Sequence, residues 1–229
     1  MARQLTFDLP ARPALGRDDF FVSPANAVAV RAIENWSDWP KRKLLLTGSN
    51  GSGKTHLVHV WAQAAGARVI EARDLDAVTV GRLVADSRTV AVEDVEIIAG
   101  NNALEHALLH LHNLLLAESG FLLLTSASLP ANWSLSLPDL KSRIQGTALA
   151  TLNAPDDALL AAVLVKLFAD RQISVAAGVV GQMVDRMERS LEFAQTLVRA
   201  LDEQSLSERR AITTTLAARV LDNLSPEAP

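Results

Sequence analysis

The residues with the clearest chemistry are Gly48-Ser49-Asn50-Gly51-Ser52-Gly53-Lys54-Thr55, followed by His56. Glycines at this spacing let the backbone turn tightly enough for successive N–H groups to converge on an anion. A helix opening here adds the positive end of its dipole. Lys54 is then placed to reach the β and γ phosphates of a nucleotide, and the Thr55 hydroxyl to hold Mg2+. The elements that must position them are legible on either side. Lys43-Leu44-Leu45-Leu46-Thr47 has the composition of a buried strand, and His56 to Ala65 that of a helix. Strand, glycine loop ending in Lys-Thr, and helix together predict a phosphate-binding loop for ADP or ATP.

A second candidate follows about forty residues later. Val90-Ala91-Val92-Glu93-Asp94 is an apolar strand ending in two carboxylates. Beside a phosphate loop, one carboxylate can hold Mg2+ together with Thr55, and the other can orient an attacking water. His106 and His110 stand one helical turn apart with His112 nearby, a spacing that suits zinc. No third ligand accompanies them, and the intervening leucines mark a core-facing helix. Arg143, in Leu140-Lys141-Ser142-Arg143, is either a surface arginine or a finger into a neighbouring nucleotide site.

The pattern around these residues alternates. Strands are expected at 68–71, 89–92, 121–125 and 148–152, with helices at 27–36, 74–84 and 103–117. Ser23 is the expected N-cap of the first helix. Alternation of this kind predicts a parallel sheet with helices on both faces. After Pro155 only helical patterns remain, at 156–171, 176–187, 191–201 and 208–224. The expected organisation is an arm over 1–19, an α/β nucleotide-binding domain over 20–154, and a small all-helical lid domain over 155–229.

Composition narrows the function. A net charge of −4 and an aromatic content of 4% without tyrosine argue against a nucleic-acid coat or a base-stacking platform. Cysteine is absent, so neither disulfides nor thiolate metal sites are available. No apolar run is long enough to span a bilayer, and the N-terminus has no apolar signal region, so a soluble cytoplasmic protein is expected. The arm, with Pro10, Pro13 and Gly16, buries little surface of its own. Leu5, Phe7 and Leu9 share one side if it is extended. By pattern alone, an edge strand or tail is the simpler account and a docking peptide the sharper one.

These stretches add up to a resemblance. Phe20-Phe21-Val22 with Asn26, Gly48 to His59, His110-Leu111-His112-Asn113, Leu123-Leu124-Thr125-Ser126 and Leu140-Lys141-Ser142-Arg143 resemble, in order, the AAA+ module of DnaA-type replication initiators. The resemblance implies an AAA+ P-loop fold with a helical lid. It implies that Phe21, Val22 and Asn26 lie beside the adenine, that Gly48 to His56 hold the phosphates, and that Arg143 is an arginine finger. Gln4-Leu5-Thr6-Phe7-Asp8-Leu9 resembles the Gln-Leu-x-Leu-x-Leu peptide that binds the beta subunit of the replicative sliding clamp, which implies Gln4 in a polar subsite and Leu5 with Phe7 or Leu9 in the apolar one. In that context the docking reading of the arm prevails. The sequence runs to Pro229, so a C-terminal domain for reading origin DNA is not expected.

A short AAA+ module with a clamp peptide implies a regulator at the bacterial replisome and nucleoid. Its partners would be DnaA and the clamp, and it would reach DNA through the clamp. AAA+ modules work through neighbours, which implies a homodimer or larger oligomer. Three positions depart from the initiators' pattern. Glu93 stands where they usually have Asp, Ala127 replaces an acidic residue at sensor 1, and Glu192 falls at the sensor 2 arginine, with Arg189 one turn away as a substitute. Groups that hold a nucleotide are thus kept, while groups that sense its γ-phosphate are weakened. The expected function is stimulation of ATP hydrolysis on DnaA, with weak hydrolysis of its own. An autonomous AAA+ ATPase or helicase loader is the alternative, and a small-molecule kinase a more distant one.

Overall fold

A computed structural model describes residues 21–224. The arm residues Gln4, Leu5, Phe7 and Leu9, together with Phe20, lie outside them. Five strands form one parallel sheet: β1 (Lys43–Gly48), β2 (Arg68–Glu71), β3 (Thr89–Glu93), β4 (Phe121–Ser126) and β5 (Ala148–Leu152), in the order β2-β3-β4-β1-β5. β1 lies between β4 and β5, with Leu45 opposite Leu124 and Leu149. Every residue of β1 is buried. This is why it reads as a continuous apolar run: a parallel strand covered on both faces has no solvent side to alternate with.

Alternation within β1 nevertheless divides the two cores. Leu44 and Leu46 face α1 (Ala27–Glu34) and α2 (Lys54–Ala65), packing with Ile33, Leu57, Val58 and Trp61. Leu45 faces the other way, toward Leu108, Leu111 and Leu115 of α4 (Asn102–Ala117) and Leu140 and Ile144 of α5 (Pro138–Gln145). Val80 of α3 (Ala77–Asp86) joins that side. The C-terminal helices α6 (Asp157–Asp170), α7 (Ala177–Arg186), α8 (Leu191–Glu208) and α9 (Thr214–Leu224) gather round a third core of their own, containing Leu164, Phe168, Met183, Leu197 and Leu221. No described helix is long and apolar enough to cross a membrane.

Several boundaries differ from expectation. α1 stops at Glu34, because Trp36 turns inward to set its ring edge-on to Phe121, 4.8 Å between centroids. Ser23 does not cap it: the Ser23 hydroxyl accepts from the Ala25 amide, and a turn intervenes before Ala27. α3 begins behind Asp76, whose carboxylate accepts from the Thr79 amide at 2.7 Å, a side-chain cap that supplies a definite start. α8 runs seven residues beyond the expected 201, supported by a Gln204–Glu208 hydrogen bond one turn apart. It stops at Arg209 in the left-handed region, φ 52°. α5, which carries Arg143, was not expected as a helix at all.

Candidate nucleotide-binding site

Gly48 ends β1, residues 49–53 form the loop, and α2 starts at Lys54. Gly51 and Gly53 have φ of 71° and 103°, which side chains rarely adopt. A Cβ on Gly51 would lie 2.0 Å from Ser190 Oγ, and one on Gly48 2.7 Å from both Leu152 O and Ser52 Oγ. The loop is therefore hemmed in by β5 on one side and by the turn before α8 on the other. The Leu191 amide donates to Gly51 O at 2.7 Å, so the helical region holds the loop directly.

Lys54 is buried, and its ammonium donates to Gly48 O at 2.8 Å and Ser49 O at 3.1 Å. Burial lowers its pKa; Asp94, Glu96 and Glu93 oppose that shift. Three carboxylates thus act on the phosphate-loop lysine. Glu93 is buried at the end of β3, while Asp94 sits exposed in the left-handed region with its amide donating to Thr125 Oγ1 at 3.1 Å. Glu96 was missed in the sequence. Its carboxylate accepts from the Ala127 amide at 2.6 Å, tying the expected sensor 1 position to the acidic turn. No sequence signal marks it, since an acid two residues past an acidic pair is unremarkable.

These residues fit a nucleotide and Mg2+. The Ser52 hydroxyl is buried inside the loop without a hydrogen-bond partner, Thr55 and Asn50 are exposed on its rim, and His56 is half-buried behind them. Among the described residues no three His, Asp or Glu side chains form a cage for a metal ion. Mg2+ in such sites takes one or two carboxylates and completes its shell with phosphate oxygens and water, so the pair Glu93 and Asp94 with Thr55 suffices. His106 and His110 are exposed on α4, whereas His112 is buried.

Phe21 and Val22 are exposed, but Asn26 is buried and spends its amide on the backbone, donating to Phe21 O and accepting from Ser23 N, both at 2.8 Å. It supports the loop that presents Phe21 and Val22. The same loop is tied to the connection before α6, where the Asn153 amide donates to Ala25 O. Arg189 stands next to Ser190 but pairs with Asp157 at 2.7 Å and donates to Pro155 O at 3.3 Å. Its guanidinium is directed to the start of α6.

Arg143 lies elsewhere. It is exposed on the last turn of α5, and its backbone carbonyl accepts from Lys43 Nζ at 2.7 Å. Lys43 opens β1 and Gly48 closes it, so about 17 Å of strand separates this helix turn from the phosphate loop. The helix is fastened at both ends. At its entry, the buried Glu105 of α4 accepts from the Ser136 and Leu137 amides at 2.8–3.0 Å and from Gly100 at 2.9 Å. Burial pushes the Glu105 carboxyl up, but these amide bonds outweigh it and hold the group below its ordinary value. Glu105 and Lys43 were both missed. The available signal was a charge on an otherwise apolar pattern: Glu105 shares its helix stripe with Leu108, His112 and Leu115, and Lys43 starts a strand that continues with three leucines.

No protein-family model matches the chain. It is 26% identical over 200 residues to an uncharacterised protein of Haemophilus influenzae, covering 82% of this chain and 85% of that one. It is 27% identical to the chromosomal replication initiator DnaA of Thermomicrobium roseum, over 89% of this chain and 48% of the relative. The chain thus spans about half the length of that initiator. Among solved structures, domain III of Thermotoga maritima DnaA superposes with a TM-score of 0.80 at 20% identity, covering 95% of this chain and all of that one. AMPPCP-bound DnaA of Aquifex aeolicus gives 0.68 at 20% identity, over 86% of this chain and 68% of that one. The five-stranded parallel sheet with its helical C-terminal region has the fold of DnaA domain III.

Proposed function

We propose that this chain is a nucleotide-holding regulator that presents Arg143 to the ATP of DnaA and stimulates its hydrolysis, and that it is tethered to the sliding clamp through Gln4, Leu5, Phe7 and Leu9. A short AAA+ module with such a peptide is the layout of Hda, the regulatory inactivator of DnaA. The observation that carries the reading is the position of Arg143. It is exposed, it is mounted on a fastened helix, and it stands at the end of the sheet away from this chain's own phosphate loop. A guanidinium there serves a neighbour's nucleotide. The resident ADP or ATP, with Mg2+ at Thr55, Glu93 and Asp94, would set the packing of the helical lid (155–229) on the α/β domain (20–154) through the Gly51–Leu191 contact. Arg189, paired with Asp157, would act on that hinge before it acts on phosphate. The product is ADP-bound initiator and restrained re-initiation, carried out where the clamp sits on DNA in the bacterial cytoplasm.

The test is hydrolysis of DnaA-bound ATP in a reconstituted system containing clamp loaded on DNA, with and without this protein. Wild type should stimulate it. Arg143→Ala should lower the stimulated rate by about 10³-fold or more, the range associated with a trans arginine finger, and should bind nucleotide normally. Deletion of residues 1–10 should abolish clamp binding and leave nucleotide binding intact. Normal stimulation by Arg143→Ala would remove the finger assignment. A second reading, an autonomous AAA+ ATPase or helicase loader, is favoured by the three carboxylates that act on Lys54. Rapid turnover by the isolated protein would select it.

A further inference from the structure

Lys43 is 3% exposed, yet it opens a strand whose neighbours on both sides are apolar. Its ammonium contacts two groups. It donates to Arg143 O at 2.7 Å and meets His112 Nε2 at 3.2 Å. A protonated lysine can only donate, so Nε2 of His112 carries the lone pair and Nδ1 the proton, which points to Asn113 Oδ1 at 3.3 Å. Burial lowers the pKa of His112, the Asn113 hydrogen bond opposing this while Lys43 and Arg143 add to it, and the net direction favours the neutral ring that this bond requires. The charged groups that act on Lys43 are cations, Lys41 from the preceding turn and Arg143 from α5. A buried lysine in such surroundings is a poor way to stabilise a fold, and a leucine would serve the core better.

What Lys43 supplies is a fixed point. The carbonyl of Arg143 belongs to the last turn of α5, where backbone acceptors lack helical partners. The Thr147 amide, which would reach it in a longer helix, goes instead to Ile144 O. The carbonyl is taken by Lys43 Nζ and by Thr147 Oγ1 at 2.9 Å. Of these two, only Lys43 is anchored in the sheet, and His112 holds its head group from α4.

We infer that Lys43 is a positioning residue for Arg143: held between His112 and the Arg143 carbonyl, it fixes where the last turn of α5 ends and so the direction in which the finger leaves the surface. This rests on the finger reading above. It implies that a substitution can improve the fold while spoiling the aim.

The variant is Lys43→Met in the full chain, which fills the same space without a donor and leaves the Thr147 hydroxyl on the carbonyl. In the assay of DnaA-bound ATP, the maximal stimulated rate should fall about 10- to 100-fold, the scale of an ångström misplacement. The concentration giving half-maximal stimulation, the nucleotide affinity and the resistance to heat should all be unchanged or better. Hydrogen exchange of the amides of 142–147, measured on the isolated protein, should accelerate. Undiminished stimulation, a shift in half-maximal concentration alone, or unaltered exchange would overturn the inference. If wild type itself fails to stimulate, the finger reading is lost, and the exchange measurement still decides whether Lys43 fixes this turn.

Discussion

A buried lysine stands at each end of the β1–loop stretch, Lys43 opening β1 and Lys54 opening α2, and the two are built on opposite principles. At the carboxyl end Lys54 follows three glycines, leans on backbone carbonyls and faces Asp94, Glu96 and Glu93. At the amino end Lys43 faces Lys41 and Arg143 and leans on a histidine and one helix carbonyl. The first arrangement is a cradle: backbone exposed by glycine, with carboxylates that offset the lysine's burial. The second is a mount, in which buried charge is spent on holding α5. A site that receives a ligand needs room next to its backbone, while a site that projects a side chain needs a stiff base.

The largest expected break falls on the mount alone. Glu105→Ala would leave three amides of the α5 entry and the Gly100 turn without their acceptor. Losing buried hydrogen bonds to a charged group costs about 3 kcal/mol, which for a chain of this size lowers the unfolding temperature by roughly 6–12 °C. Nucleotide affinity should hardly move, because no Glu105 contact reaches the phosphate loop. Calorimetry beside a nucleotide titration checks both halves. A parallel loss of nucleotide affinity would mean that the two ends are not independent.

A smaller effect sharpens the contrast between the glycines of the two ends. Gly51→Ala places a methyl group at φ 71° and against Ser190 Oγ, which caps α8 by accepting from Phe193 N at 3.1 Å. Left-handed backbone and a disturbed cap each cost about 1 kcal/mol, so about 2 kcal/mol is expected. Gly146, three residues past Arg143, has φ −84°, and an added Cβ would meet nothing closer than Ser142 O at 3.4 Å. Gly146→Ala should therefore change stability by less than about 0.5 kcal/mol. Chemical denaturation of the pair measures the difference; equal costs would erase the distinction between cradle and mount.

The cradle was legible in the sequence and the mount was not, for a physical reason. Gly48 to Thr55 stand out by residue type and spacing, because in a phosphate-loop pattern of this kind the backbone itself must turn tightly enough to meet the anion. Likewise β1, β3 and β4 announce themselves as apolar runs because both of their faces are buried. α5 buries only Leu140 and Ile144, a single one-turn pair, so no period emerges from its eight residues. Arg143 could be singled out by resemblance, but the groups that hold it come from strands and helices far away in the chain: Lys43 is 100 residues distant. Glu105 and Ser136 are 31 apart. Asn26, expected beside the adenine by resemblance, has its amide bonded to the backbone of Phe21 and Ser23, neighbours in sequence that a residue-by-residue comparison does not weigh.

The last expectation concerns the charge state of Lys43. Burial, with Lys41 and Arg143 adding repulsion, lowers its pKa from 10.5 to about 8. Between those values the unfolded chain keeps a proton that the folded one has released. Stability therefore rises with pH wherever the unfolded state binds more protons, here from about pH 8 toward 10.5, with the full cost of the charged lysine present below pH 8. The slope from one group is at most about 1.4 kcal/mol per pH unit, and about 1 kcal/mol between pH 8 and 9 is a fair expectation. Other groups titrate in the same range, so the measurement is the difference between wild type and Lys43→Met by urea unfolding at each pH. The variant's advantage should be largest below pH 8 and shrink steadily above it. Lys54 gives the internal contrast. Its pKa is also lowered, burial outweighing the pull of Asp94, Glu96 and Glu93, so its charge acts in the same direction; but Lys54→Met strands those carboxylates beside an apolar chain, and any advantage at low pH should be smaller than that of Lys43→Met. A pH-independent gap between wild type and Lys43→Met would mean that Lys43 binds its proton equally in the folded and unfolded chain, so that burial does not shift it and the carbonyl of Arg143 is held by an ammonium throughout this range.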